Sequence, residues 1–339
     1  MSRVPTVSVV IPVYNAAKTL RRCLDAVAAQ THPPAEVLVV DDGSTDGSAE
    51  LAAAAGVRVL VQPVNRGVSA ARNAGVAAST GEVVFFVDSD VALAPDAIGN
   101  ALAVLAADPD CGCVYGVYAP VPLIDDGPVE RYRVLHLHTA LTRAVGPVDT
   151  AVFALAAVPR AVLRDLGPFD ENLRSAEDDE YSERLLTRYR IRLTDTVVGR
   201  HDEADRLLPL LGEQYRRAQL LRWSLRNRYR RRGLALNSTL GVLAAGLGVL
   251  TLPAALLGPY GVAAPLLCLA VFVAADPPLA AALRRAGGGV FLARALGIHL
   301  LVNVALITGA AVGLLRSLVD PSFGPSSRIA ARPLESKGW

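Results

Sequence analysis

The chain has 339 residues, with 34 Lys and Arg against 32 Asp and Glu, a net charge of +2, and 52% hydrophobic residues. So small a net charge gives no reason to expect a nucleic-acid partner, and the length allows one large domain or a domain with an appendage. Four cysteines, Cys23, Cys111, Cys113 and Cys268, form neither a disulfide framework nor a zinc spacing, and free thiols fit a reducing compartment.

Residues 1–5 lead directly into a strand pattern, so no cleavable leader is expected. Residues 7–13 form a β-branched apolar run, and Asn15 is placed to cap a helix through about Ala29, ended by Thr31-His32-Pro33-Pro34. A second strand over 36–40 stops at Asp41-Asp42-Gly43. A helix follows over 46–55, then a third strand over 57–61, a helix over 69–78 and a fourth strand over 82–87. These strands are nearly continuous apolar runs, as expected where helices cover both faces of a sheet. The βαβαβαβ order predicts an open, mostly parallel α/β sheet, whose ligands sit beyond the carboxyl ends of the strands.

Beyond Asp90 the signals are mixed. Residues 92–107 read as a helix, 112–121 as extended, 150–157 as small and apolar, 160–166 and 178–189 as helices, and 191–198 as a strand. Residues 125–144 give few signals and are expected to form a loop and helix on the acceptor side. His136 and His138 lie in this stretch. On a strand they would share a face, but no third metal ligand accompanies them.

The last third behaves as if made for another solvent. Apolar stretches run over 234–257, 260–275 and 290–315, and a span needs about 20 residues. Two to three spans are expected. The basic cluster of Arg216, Arg217, Arg222, Arg226, Arg228 and Arg230–Arg232 just before them reads as cytoplasmic, close to anionic lipid. Small residues such as Gly241, Gly246 and Gly248 suit packing against a membrane-protein partner or a second copy. The organisation expected is a domain over 1–232, a transmembrane region over 233–318 and a loose tail over 319–339.

Strand four ends in Asp88-Ser89-Asp90. Residues i and i+2 of an extended chain point to one side, so two carboxylates there can hold Mg²⁺ or Mn²⁺ against a diphosphate. Strand one ends in Ile11-Pro12-Val13-Tyr14-Asn15, and strand two in Asp41-Asp42-Gly43-Ser44-Thr45-Asp46. Further on stand Asn65-Arg66-Gly67-Val68-Ser69-Ala70-Ala71-Arg72-Asn73 and Phe169-Asp170-Glu171 with Glu177-Asp178-Asp179. Gln219-Leu220-Leu221-Arg222-Trp223 reads as a QxxRW pattern.

In combination and order these segments resemble glycosyltransferase family 2, with its GT-A fold, over about residues 7–223. The resemblance implies a membrane-anchored enzyme that moves a sugar from a nucleotide-sugar, UDP-linked by expectation, to a hydroxyl of a lipid or glycan acceptor with inversion. It implies that Asp41 meets the nucleotide base, in a pocket lined by Pro12, Tyr14 and Asn15, and that Asp42 belongs to the nucleotide-sugar site. Arg72 would meet the diphosphate, Asp88 and Ser89 the nucleotide-sugar, and Asp90 and His201 the metal. Asp178 would act as catalytic base, and Gln219, Arg222 and Trp223 would contact the acceptor. Polyprenyl-phosphate transfer and a non-catalytic nucleotide-binding membrane scaffold are the alternatives.

Overall fold

The computed structural model describes residues 4–173, 176–220, 236–320 and 323. Contacts divide them into two compact units. One holds residues 4–119 and 144–202, the other Pro120–Arg143 and the described residues from Glu203 to 323. The helical unit thus begins before the expected 233 boundary and takes in the segment that gave few signals.

The first unit is built on a nine-stranded mixed sheet. Its first half follows expectation. β1 (Val7–Val13), β2 (Glu36–Asp41), β3 (Arg58–Val61) and β4 (Val83–Val87) pair in parallel in the order β3-β2-β1-β4. All seven residues of β1 are buried. Helices α1 (Leu20–Ala28), α2 (Ser48–Ala54) and α3 (Val68–Ala78) make the crossovers. A Cβ on Gly75 of α3 would sit 2.3 Å from Val10, so the absence of a side chain is what lets that helix lie against the sheet.

The second half departs from a parallel sheet. β5 (Val91–Leu93), α4 (Ala97–Ala107) and β6 (Cys111–Tyr118) are followed by β7 (Gly146–Val148), β8 (Leu155–Pro159), α6 (Arg160–Leu166), α7 (Glu177–Leu185) and β9 (Arg190–His201). β8 runs antiparallel between β4 and β6, and β5 and β7 run antiparallel to β9. Residues 91–93, expected as the start of a helix, are a strand because they pair with Gly199–His201, and the helix waits until after Pro95. A register shift between Gly116 and Val117 lets β9 bulge, with a Cβ at Gly116 only 2.1 Å from the carbonyl oxygen of Val197. Such bulges re-aim side chains near functional sites. Here β9 then runs on to place His201 opposite Val91.

The helical unit contains α5 (Pro128–Arg143), α8 (Leu207–Gln219), α9 (Thr239–Thr251), α10 (Ala263–Ala274) and α11 (Pro277–Val319). His136 and His138 lie on α5 rather than on a strand, so they do not share a face. His136 is fully buried and donates from Nε2 to the carbonyl of Leu236 at 2.9 Å. Asp276 caps α11, accepting from the Leu279 N–H at 3.1 Å, and takes Arg143 of α5 at 2.8 and 3.1 Å. At Gly287 and Gly288 the α11 backbone leaves helical geometry, which splits it into two helices.

Thr239–Leu257 and Pro277–Val319 are long and apolar enough to cross a membrane, whereas Pro259–Ala274 is shorter. The glycines expected to serve an outside partner are occupied within the chain. Gly246 lies against Ile307, Gly248 against Cys268 and Gly241 against Ala275.

Candidate functional site

The carboxyl ends of β1, β2 and β4 bring the first group of side chains together. At the end of β2, Asp41 is buried. Its Oδ2 accepts from the Ser44 N–H at 3.2 Å, and its Oδ1 is buried with no hydrogen-bond partner. A buried carboxylate oxygen without a donor is costly, so this atom is available to an incoming N–H. Pro12 is buried in β1, two residues ahead of the exposed Tyr14.

Two expectations for this corner change. Asn15 does not cap α1, which starts at Leu20 behind Thr19. With φ at 51°, Asn15 accepts from the Thr45 N–H at 2.8 Å and gives its own N–H to Ser44 Oγ at 2.9 Å, so it ties the two strand-end loops together. Asp42, expected in the nucleotide-sugar site, has both oxygens occupied by backbone. Oδ1 accepts from Arg66 N–H at 2.8 Å and Oδ2 from Gly67 N–H at 2.7 Å. It orders the turn into α3, where Gly67 sits at φ 95°.

Beyond β4, Asp88 and Asp90 flank Ser89, all three partly exposed. Asp90 Oδ1 is buried without a hydrogen-bond donor, and His201 Nε2 stands 3.4 Å from it. Tyr118 stacks on the His201 ring at 4.5 Å with the planes 16° apart, which holds the imidazole in orientation. Lys18 pairs with Asp202 at 3.0 Å beside it. Among the described residues no group of three or more His, Cys, Asp and Glu side chains could enclose an ion. The Asp90–His201 pair still fits Mg²⁺ or Mn²⁺. Such ions are commonly held by one or two protein ligands, with phosphate oxygens and water completing the shell.

Arg72 is the largest departure from expectation. Instead of lying open to a diphosphate, its guanidinium is buried, with 2% of the side chain exposed. Nη2 donates to Asp88 Oδ1 at 3.2 Å, and Nη1 donates to Asp178 Oδ1 at 3.2 Å with Glu177 Oε1 at 3.6 Å. Its cation also lies 5.8 Å from the ring centroids of Phe153 and Phe169.

Asp178 stands in the first turn of α7, reached through the left-handed Ala176 at φ 64°. The loop before it is pinned by Asn73, which exchanges hydrogen bonds with the Phe169 backbone at 2.9 Å each way and donates to Glu171 at 3.0 Å. Arg66 reaches Glu171 at 2.6 Å. Burial pushes the Asp178 carboxyl up to about 7. Arg72 opposes that shift, and the neighbouring charges of Glu177 and Asp88 add to it. Asp88 is raised by burial too, again against the pull of Arg72.

Sequence reasoning missed Asn73, Glu171 and Tyr118 as organisers of the site. Asn73 and Glu171 stood inside quoted motifs, whereas nothing in the sequence around Tyr118 marks it. Gln219 ends α8 in the helical unit and accepts from Arg316 at 2.9 Å. Arg222 and Trp223 lie outside the described residues.

With this geometry in hand, comparisons with known proteins can be placed beside it. The family model described as glycosyl transferase family 2 matches residues 8–164. Glycosyltransferase AglE of Haloferax volcanii is 31% identical over 237 residues, covering 66% of this chain and 76% of that protein. A pre-mycofactocin glycosyltransferase of Mycobacterium tuberculosis is 34% identical over 214 residues, covering 59% of this chain and 43% of its own length. Among solved structures, the mannosyltransferase PcManGT of Pyrobaculum calidifontis, in complex with GDP-Man and Mn²⁺, superposes with a TM-score of 0.57 at 24% identity. The match covers 92% of this chain and 88% of that one, and it bears on the fold.

Proposed function

Starting from the chain's membership of glycosyl transferase family 2, a nucleotide-sugar glycosyltransferase with a GT-A fold, we propose an inverting transfer to a hydroxyl acceptor with Asp178 as the base. The observation that carries this reading is geometric: the Asp178 carboxylate in the first turn of α7 is joined through Arg72 to Asp88 of the Asp88-Ser89-Asp90 turn, and burial pushes its carboxyl up to about 7. A base that titrates close to working pH combines a useful ionised fraction with a real drive to take a proton. A phosphate acceptor is already ionised and has no need of such a group.

The donor is a UDP-linked sugar in this reading. The unpartnered Asp41 Oδ1 suits the imide N–H of the base, with Tyr14 beside it. Asp88 and Ser89 face the nucleotide-sugar. Asp90 and His201 would hold Mg²⁺ or Mn²⁺, which when bound neutralises charge on the leaving diphosphate. Asp178 accepts the hydroxyl proton as the acceptor oxygen forms its bond to the anomeric carbon. The bond from that carbon to the diphosphate oxygen breaks, and its electron pair leaves with the nucleoside diphosphate.

The acceptor belongs to a lipid or glycan at the cytoplasmic face of the cell membrane. Residues 233–318 anchor the chain by two to three spans, and Gln219, Arg222 and Trp223 contact the acceptor. Support comes from the two long apolar helices and from Arg216 and Arg217 ahead of them.

The test is nucleotide release from a panel of UDP-, GDP- and other nucleotide-sugars, with the full chain in native-like membranes and with or without Mn²⁺ or Mg²⁺. Metal-dependent release from one donor is expected, and both Asp90→Ala and Asp178→Asn should abolish it. Full activity in both variants would overturn the assignment.

A further inference from the structure

Arg72 has no role in the reaction as written above, yet it is a buried positive charge at the site. A buried guanidinium is retained only where carboxylates compensate it, and here three do, from two separate places in the chain. One Nη reaches across to Asp88 at the end of β4. The other is shared by Asp178 and Glu177 in the first turn of α7.

Both Nη atoms are engaged by carboxylates, two phenylalanine ring centroids lie 5.8 Å from the cation, and Nε alone is buried without a partner. The planar fork is rigid, so holding Asp88 with one nitrogen sets where the other nitrogen can hold Asp178. We propose that Arg72 is a positioning residue that fixes the Asp178 carboxylate relative to Asp88 and keeps it ionisable, rather than a ligand of the donor. This inference rests on the assignment of Asp178 as base.

Among the described residues, three charges act on Asp178. Arg72 comes from α3, Glu177 from its own helix and Asp88 from the end of β4. Cys113 and Tyr115 on β6 feel its charge, but burial pushes both upward and leaves them neutral. Arg72 is therefore the favourable charge opposing burial and two like charges. An opposite charge at this range shifts a carboxylate by about 1–3 pH units. Removing it must move the base upward, and removing Glu177 must move it downward. A residue that merely supported packing would do neither.

The test follows kcat/KM against pH for the full chain in native-like membranes. Arg72→Gln and Arg72→Lys are expected to move the acid limb to higher pH, the Gln variant by about 1 unit or more and the Lys variant by less. Part of the lost activity returns in alkaline buffer. Glu177→Gln is expected to move the limb the other way, by a similar amount. It sits at a partly exposed carboxylate, so it keeps the test decisive if the Arg72 variants fail to fold. Limbs that coincide with wild type in all three, with only the amplitude reduced, would overturn the proposal. So would an Arg72→Lys variant whose sole defect is weaker binding of UDP. Absence of transfer by wild type at every pH would instead count against the enzyme reading itself.

Discussion

At the residue scale, the site stores an electrostatic cost that can be measured. Asp178 is protonated up to about pH 7 in the folded chain, while an unfolded aspartate ionises near 4. Between those values the folded state binds more protons, so its stability is greatest below the lower value and is lost as pH rises through 7. Asp178→Asn should therefore abolish transfer and also raise thermal stability at pH 8, by about 1–3 kcal/mol, with the gain vanishing near pH 4. Equal melting of the two proteins at pH 8 would mean that the carboxylate is not strained. The Asp90–His201 pair, as the proposed metal ligands, leads to a second expectation. Two side chains leave most of the coordination shell open, so Mn²⁺ binding measured by calorimetry should be weak for the protein alone and tighten in the presence of UDP. His201→Ala should weaken the metal dependence, and Asp90→Ala should remove it. The residues proposed as base and metal ligands could be picked out in the sequence because each sits in a run that can be read locally. The contacts of Asp42 and Arg72 could not, because their partners lie 24 or 25 and up to 106 positions away.

At the scale of elements, two close approaches decide geometry. α8 lies on α11 where Gly309 and Gly313 remove side chains from the contact. A Cβ at Gly309 would meet the Tyr215 carbonyl at 2.4 Å, and one at Gly313 would meet the Gln219 carbonyl at 2.1 Å. This small-xxx-small spacing allows helices to approach backbone to backbone, and here it is filled within the chain. Gly313→Leu should cost about 1–3 kcal/mol in thermal melting and raise KM for the acceptor, since Gln219 begins the QxxRW segment. Gly297→Ala on the same helix, with open space around it, should be neutral or mildly stabilising. Unchanged melting in Gly313→Leu would show that the seam is loose. The other approach is the β6–β9 bulge at Gly116. Strand periodicity announced β9 as residues 191–198, but its continuation to His201 depends on pairing with β5, a partner that local pattern took for a helix.

At the scale of the whole molecule, the two long apolar helices of the last third underlie the proposed membrane attachment. The exposed leucines of Leu252–Leu257 and the neighbouring Tyr260, nearly nine-tenths exposed or more at Leu256, Leu257 and Tyr260, are too apolar to face water in the working protein. In vesicle flotation the full chain should stay with the lipid at about 1 M salt, because apolar insertion is not screened as surface charge is. Release by salt alone would reduce the attachment to the arginines. The sequence by itself determined the parallel β1–β4 half of the sheet, the strand-end carboxylates, the family and the apolar third. All of these follow from period, composition and short motifs, which are properties of neighbouring residues. Only the tertiary structure decided that the sheet turns mixed after β4, that α5 joins the helical unit, that the membrane-region glycines are occupied internally, and that Arg72 binds carboxylates. Strand direction, helix docking and the partner of a buried charge are set by groups far apart in the chain, and burial makes each a choice among long-range contacts rather than a local preference.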